Sequence, residues 1–307
     1  MELSLPMLQD LWTEIRRDGG TLLHLHGIFN LCTYSIALRF GGNVPVATQS
    51  HDPIYSTHEN FSWIRNSFRK YALRNVDRFY LSSETESAVF GGVCDPRKIC
   101  LSPVPIDMSI FRRTDKAMAK RRLGWRANDG YVLYVGRLEE RKGFQYLVEA
   151  LHMLASRYPR VHLVAVGYGS LSTESTDDII FVGRARYFDL SMYYNAADIC
   201  VLPSLGETWG RVVLESLACG TPVIATPTGC VPTLVNDGVP GLFTVPMRDS
   251  GALADSISRI LPQSEALRGR MDMRKLEKYD SENFVERLLL DYKELAAEHR
   301  VSSGMLQ

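Results

Sequence analysis

Residues 201–226 read V-L-P-S-L-G-E-T-W-G-R-V-V-L-E-S-L-A-C-G-T-P-V-I-A-T, and their pattern decides the fold. The apolar run ending at Leu202 reads as a buried strand. A loop follows that holds Gly206 and Gly210, with one acid, Glu207, between them. Val212, Val213, Leu214, Leu217 and Ala218 then form a mostly apolar helix that stops at Gly220. Thr221-Pro222 and a second apolar run, 223–225, complete a strand–loop–helix–strand unit of parallel-sheet type. Open sheets of this kind bind ligands beyond the carboxyl ends of their strands, where helix amides attract anions.

Two carboxylates mark this unit, Glu207 in the loop and Glu215 on the helix. A phosphate alone gives an acid no task there. A ligand with hydroxyls does, because a carboxylate accepts two of them at once. A nucleotide sugar offers both parts, a diphosphate for the amides and sugar hydroxyls for the acids. The plainer reading leaves both glutamates in solvent, where most glutamates lie. Leu214 and Leu217 beside Glu215 argue against that for the second acid.

Upstream, residues 131–136 (Y-V-L-Y-V-G) read as a strand, followed by Arg137-Leu138-Glu139-Glu140-Arg141-Lys142-Gly143 and a helix to about 157. Arg137 and Lys142 bracket a strand-to-helix loop, so both can turn toward an anion at the helix N-terminus. Further strands read at 161–167, 179–183 and 198–202, and a closing helix at 281–298. Residues 112–126 carry seven basic residues against one acid, Asp115, which suits a linker with a short exposed helix. The expected organisation is a first domain over 1–112, a basic linker over 113–126, a second domain over 127–280, and a last helix over 281–307 that crosses back.

The first half repeats the βα rhythm more weakly. Residues 5–18 have helical spacing, and T-L-L-H-L-H-G (21–27) is a strand that puts His24 and His26 on one face. Two histidines can begin a metal site, but no third ligand is near in sequence, so a hydrogen-bonded role is simpler and no metal is expected. The strand at 44–49 delivers His51 at its carboxyl end, the working edge of such a sheet; a plain surface histidine is the competing reading. Residues 61–78 form a basic amphipathic helix. Trp63, Ile64, Phe68, Tyr71 and Ala72 share one face, with Arg65, Arg69, Lys70 and Arg74 mostly elsewhere. It can lie on an anionic membrane or bind an anionic acceptor, or it can pack on its own sheet with a solvated basic face.

The 307 residues suit two domains, and 45% hydrophobic with 23% charged residues is an ordinary globular composition. Lys plus Arg and Asp plus Glu number 35 each, so net charge gives no case for nucleic acid. Six cysteines form no C-x-x-C pair, no apolar run reaches the roughly 20 residues of a spanning helix, and the first residues do not read as a signal peptide. A cytoplasmic location is expected, with a peripheral contact on the inner membrane face if helix 61–78 docks there.

Three linked stretches, V-G-R-L-x-x-R-K-G (135–143), E-T-W-G (207–210) and E-S-x-A-x-G-T-P-V (215–223), resemble the donor half of retaining glycosyltransferases of family 4, which have the GT-B fold. The resemblance implies two Rossmann-like domains facing across a cleft. It implies transfer of a sugar from a UDP- or GDP-linked donor to a hydroxyl on a glycan, lipid-linked or small-molecule acceptor, with retention and without a cofactor. Carried over, Arg137 and Lys142 would bind the diphosphate and Glu207 would face the sugar beside Thr208, Trp209 and Gly210. Glu215 would hold the ribose, Gly136 would border the donor, Val182 and Gly183 would meet the base, and His51 would serve the acceptor pocket. The chain departs from the family at Pro103-Val104-Pro105, where P-N-G is usual, and at Thr233, where an acid is frequent. Family members also open with a strand and glycine-rich loop, so a start at Met1 implies an abbreviated first domain. Two other readings stay open: a nucleotide-sugar epimerase on the same fold, or a non-catalytic nucleotide-sugar-binding or scaffold protein.

Overall fold

A computed structural model describes residues 22–50, 63–171, 176 and 178–302. The expected helix at 5–18 and His51 lie outside the described residues. By the density of its internal contacts the chain divides into two compact units, 1–103 with 284–307, and 104–283.

The first unit holds a four-stranded parallel sheet in the order β1 (Leu23–His26), β2 (Val46–Gln49), β3 (Arg78–Leu81), β4 (Ile99–Leu101). Alternation along these strands sends side chains to two layers. Phe79 and Leu81 join Val46 and Leu23 in a core with Ile36, Ala37 and Phe40 of α1 (Leu31–Phe40), Ala72 and Leu73 of α2 (Trp63–Leu73) and Phe90 of α3 (Glu84–Phe90). Tyr80 and Ala47 face the other way and pack with Leu288, Tyr292 and Leu295 of the closing helix, α11 (Ser281–Ser302). His24 takes its place in that second layer. Its ring stacks on His26 at 4.9 Å and its Nδ1 hydrogen-bonds the Tyr292 hydroxyl. Among the described residues no group of three His, Cys, Asp or Glu could hold a metal ion.

The second unit is a six-stranded parallel sheet, built from β5 (Gly130–Val135), β6 (Val161–Val166), β7 (Ile179–Gly183), β8 (Ile199–Leu202), β9 (Val223–Ala225) and β10 (Leu242–Thr244). Their order is β10-β9-β8-β5-β6-β7. Both faces are covered, which is why 131–135 and 199–202 are apolar throughout rather than alternating. Val132, Tyr134 and Ile224 point into one core, with Phe144 and Leu147 of α5 (Phe144–Leu154) and Ile257 of α9 (Ser250–Ile260). Leu133, Val135 and Cys200 point into the other, with Tyr194 of α6 (Leu190–Ala196) and Leu214 and Leu217 of α7 (Arg211–Ala218). Each buried Leu or Phe contributes about 1.5–3 kcal/mol.

The basic segment before this sheet holds a short helix with Ala117, Met118, Arg121 and Arg122 exposed, but two of its lysines turn inward. In α4 (Lys116–Arg122) the Lys120 side chain is buried and donates to the Asp129 carbonyl at 2.9 Å, while Lys116 Nζ lies 2.6 Å from Asp198. An aspartate far along the chain, invisible to local composition, recruits two of the seven cations.

Candidate functional site

The chain leaves β5 toward β6 on one side and later returns to place β8 on the other. Strand order therefore reverses between β5 and β8, and an α/β sheet opens its ligand crevice at such a switch point. The loop after β5 feeds α5 on one face, and the loop after β8 feeds α7 on the opposite face. Both loops come from the stretches singled out in the sequence.

Two glycines set their shape. Gly143 caps α5 with φ 69°, and a Cβ added there would stand 1.9 Å from the Pro203 carbonyl oxygen just beyond β8. Only a residue without a side chain lets the two loops touch. Gly210 caps α7 with φ 85°. No side chain caps α5 or α7, nor α6; Tyr146 N donates to the Gly143 carbonyl and Val213 N to that of Gly210, and the amides ahead of them at each N-terminus are the ones a ligand could meet.

Across this junction Lys142 Nζ lies 2.7 Å from Glu207 Oε1 and 2.7 Å from Oε2. Ser204 Oγ donates to Glu207 Oε1 at 2.7 Å. Glu207 is buried, and Lys142 is 14% exposed at its side chain. Beneath the β5 loop the Tyr134 hydroxyl donates to the Arg137 carbonyl at 2.6 Å. Burial pushes the Tyr134 phenol upward, and the negative charges of Glu207 and Glu139 add to it.

The other expected residues are placed differently. Arg137 is half-exposed and pairs with Glu139 at 2.9 Å, so of the two bracketing cations it is Lys142 that reaches the β8 loop. Glu215 is buried in α7, as the flanking leucines foretold. It accepts from the Tyr194 hydroxyl at 2.8 Å, and its Oε1 lies 3.5 Å from Arg211. Burial raises its pKa, and the Tyr194 hydrogen bond and Arg211 charge oppose that rise. Thr208 is half-buried in the β8 loop, whereas Trp209 is buried among apolar side chains with its ring 6.2 Å from Tyr279. Gly136, Gly167 and Gly183 end β5, β6 and β7, and a Cβ on Gly167 would stand 1.8 Å from the Gly136 carbonyl oxygen. These strand ends are thus bare backbone, with Val182 turned into the core beside Gly183.

Ser204, Tyr194 and Gly143 carry parts of this geometry that the sequence reading did not assign. Arg211 could have been found, since an Arg four residues before a Glu on a helix is a standard pairing distance. Ser204 and Tyr194 gave no local signal of their partners.

Two parallel α/β units, the second with an uncapped helix pair at its switch point, define a protein of the GT-B glycosyltransferase fold. Sucrose-phosphate synthase from Thermosynechococcus elongatus matches the structure with a TM-score of 0.77 at 26% identity, over 96% of this chain and 78% of its own. Anabaena Alr3699/HepE, solved in complex with UDP, has the same fold at 19% identity and a TM-score of 0.77, over 94% and 82% of the two chains.

Residues 129–263 match the family described as glycosyl transferases group 1, and the chain carries a domain of that family. The D-inositol 3-phosphate glycosyltransferase of Acidothermus cellulolyticus is 35% identical over 253 residues, covering 74% of this chain and 55% of the relative. That of Mycobacterium tuberculosis (strain H37Ra) is 27% identical over 256 residues, covering 77% and 52%. The chain spans about half the length of the curated relatives it matches.

Proposed function

We propose that the protein transfers a sugar from a nucleotide-diphosphate donor to an acceptor hydroxyl, with retention of configuration, and that the β5–β8 junction is the donor site. The observation that carries this reading is the Lys142–Glu207 pair beside two uncapped helix N-termini. A cation and free amides suit a diphosphate; a carboxylate beside them suits sugar hydroxyls. Neither group suits the other's ligand, and a nucleotide sugar brings both.

In this reading Lys142 turns one N–H to the diphosphate while Glu207 accepts from the sugar. As the glycosidic bond breaks, negative charge grows on the leaving diphosphate. Lys142, Arg137 and the amides of α5 stabilise that charge, and no proton need be delivered to the leaving oxygen. The chain's bare strand ends at Gly136 and Gly183, with Thr208 and Gly210, let the donor approach backbone. Glu215, whose Oε1 lies 3.5 Å from the half-exposed Arg211, is the acid a ribose would meet. His51 is assigned to the acceptor side. The relatives' name makes D-inositol 3-phosphate the first acceptor to try, before glycan and lipid-linked hydroxyls.

The test is a product assay with UDP- and GDP-sugars and an acceptor panel. Lys142→Ala should lower kcat by about 10²–10³-fold, the loss typical of one leaving-group or oxyanion contact. Unchanged turnover in that variant would overturn the assignment. Conversion of the donor without any acceptor would point to an epimerase instead.

A further inference from the structure

The first unit has a concavity of its own. It lies at the amino edge of the four-stranded sheet, between the end of α2 and the residues that enter β4. Its volume is about 430 Å³. Leu73, Phe79, Val93 and Cys94 form an apolar floor, and burial pushes the Cys94 thiol up to about 12. Lys70, Arg74, Arg97 and Lys98 form the rim, with one acid, Asp95.

These cations have different partners. Lys98 Nζ donates to the carbonyls of Arg74 (3.2 Å) and Val76 (2.7 Å), which fixes it at the end of α2. Arg97 pairs with Asp95 through Nε and Nη2. The Arg74 guanidinium lies 3.9 Å from the centre of the exposed Tyr71 ring, and Lys70 is exposed. Four positive charges against one negative leave the rim strongly cationic.

The helix beside it continues the theme. Residues 63–73 contain no acid, and Phe68 and Tyr71 stand 50% and 52% exposed. Large aromatic rings half in water next to lysine and arginine are costly on a face with no further partner among the described residues. They fit the boundary of a bilayer, where rings enter the headgroup layer and cations meet lipid phosphate. Phe68 meets the Tyr34 ring edge-on at 5.7 Å and Tyr71 carries Arg74, yet each keeps half its surface in water, and a soluble anion would use the cations alone.

We propose that the hollow and the adjoining face of α2 dock the protein on an anionic lipid bilayer, with a lipid phosphate seated between Lys70, Arg74 and Arg97 and with Phe68 and Tyr71 entering the interfacial layer. The site lies at the amino ends of β3 and β4 and shares no residue with the donor junction, so the proposal stands whether or not that reading holds.

Vesicle flotation of the full chain tests it, with neutral phosphatidylcholine vesicles compared to vesicles holding about 30% phosphatidylglycerol. The expected result is flotation with the anionic vesicles alone, weakened by raised salt. Lys70→Glu/Arg74→Glu should reduce bound protein at least tenfold. Phe68→Ser/Tyr71→Ser should reduce it while leaving the salt dependence in place. All four positions are on the surface, and an unchanged melting temperature controls for folding. Flotation that ignores both double variants, or none at all, overturns the proposal. So does saturable binding of glycerol phosphate or of a single-stranded oligonucleotide to a protein that ignores vesicles.

Discussion

Lys142 Nζ is equidistant from both carboxylate oxygens of Glu207, at 2.7 Å each, although 65 residues separate the two along the chain. The pair forms because β5 and β8 are neighbours and Gly143 lets their loops meet. It is buried enough that losing one member strands the other. Lys142→Ala should therefore cost about 3 kcal/mol of stability, the range for breaking a buried pair, and Lys142→Met/Glu207→Gln should recover most of it. Urea titrations of the two variants check this. Activity should be lost in both, which separates the structural role of the pair from the chemical one.

Gly143→Ala should be worse than its single methyl implies. The backbone there is left-handed, and the new Cβ would overlap a carbonyl oxygen that belongs to the other loop. We expect a loss of about 2 kcal/mol or more, from backbone strain together with the clash. Gly183→Ala is the control. Its φ is 74°, but a Cβ there would meet nothing within 4 Å, so it should show the strain without the clash.

Glu215 gives a pH signature. Burial lifts its folded-state pKa above the ordinary 4.5, so the folded protein holds this proton over a range where the unfolded chain has lost it. The stabilisation from that proton is complete below about 4.5 and disappears as pH rises through the higher folded value. Glu215→Gln keeps the hydrogen bond from Tyr194 and removes the titration. Stability measured by urea unfolding from pH 4 upward should fall less steeply in Glu215→Gln than in the wild type.

Arg268 holds together four segments of the second unit. Its Nη1 donates to the Cys219 carbonyl at 2.8 Å and to Thr221 at 3.3 Å, and its Nη2 donates to the Thr114 carbonyl and to Asn195, each at 2.9 Å. Arg268→Met would remove this donor from the Cys219 and Thr114 carbonyls, while Asn195 Oδ1 keeps the Thr114 N–H, and should cost about 3 kcal/mol. Arg268→Lys should rescue little, because an ammonium cannot reproduce the fork. Thermal melts of both variants decide it.

How far the sequence carried the fold depended on whether the signal was local. The apolar runs at 199–202 and 223–225 and the stop at Gly220 specify strand, helix and strand from adjacent residues, and those elements are where the pattern put them. The shielding of Glu215 was legible because Leu214 and Leu217 lie within one turn of it. Arg137 and Lys142 looked equivalent as cations flanking one loop. What separates them is tertiary: Glu139 holds the first at the surface, while Glu207, on another strand's loop, draws the second inward. For the same reason the basic composition before the second sheet showed a short exposed helix without showing that Asp198 holds Lys116 and Lys120 of it. In α2 the periodicity showed a basic amphipathic helix without showing whether its rings were covered, and Phe68 and Tyr71 are half in solvent.

The central claim is that the β5–β8 junction binds a nucleoside diphosphate, and calorimetric titration with UDP and GDP tests it most directly. The account predicts that one of the two binds the wild type at one site per chain, and that Lys142→Met, shown to be folded, weakens it at least tenfold. Binding of neither nucleotide, or equal binding to both proteins, would contradict it.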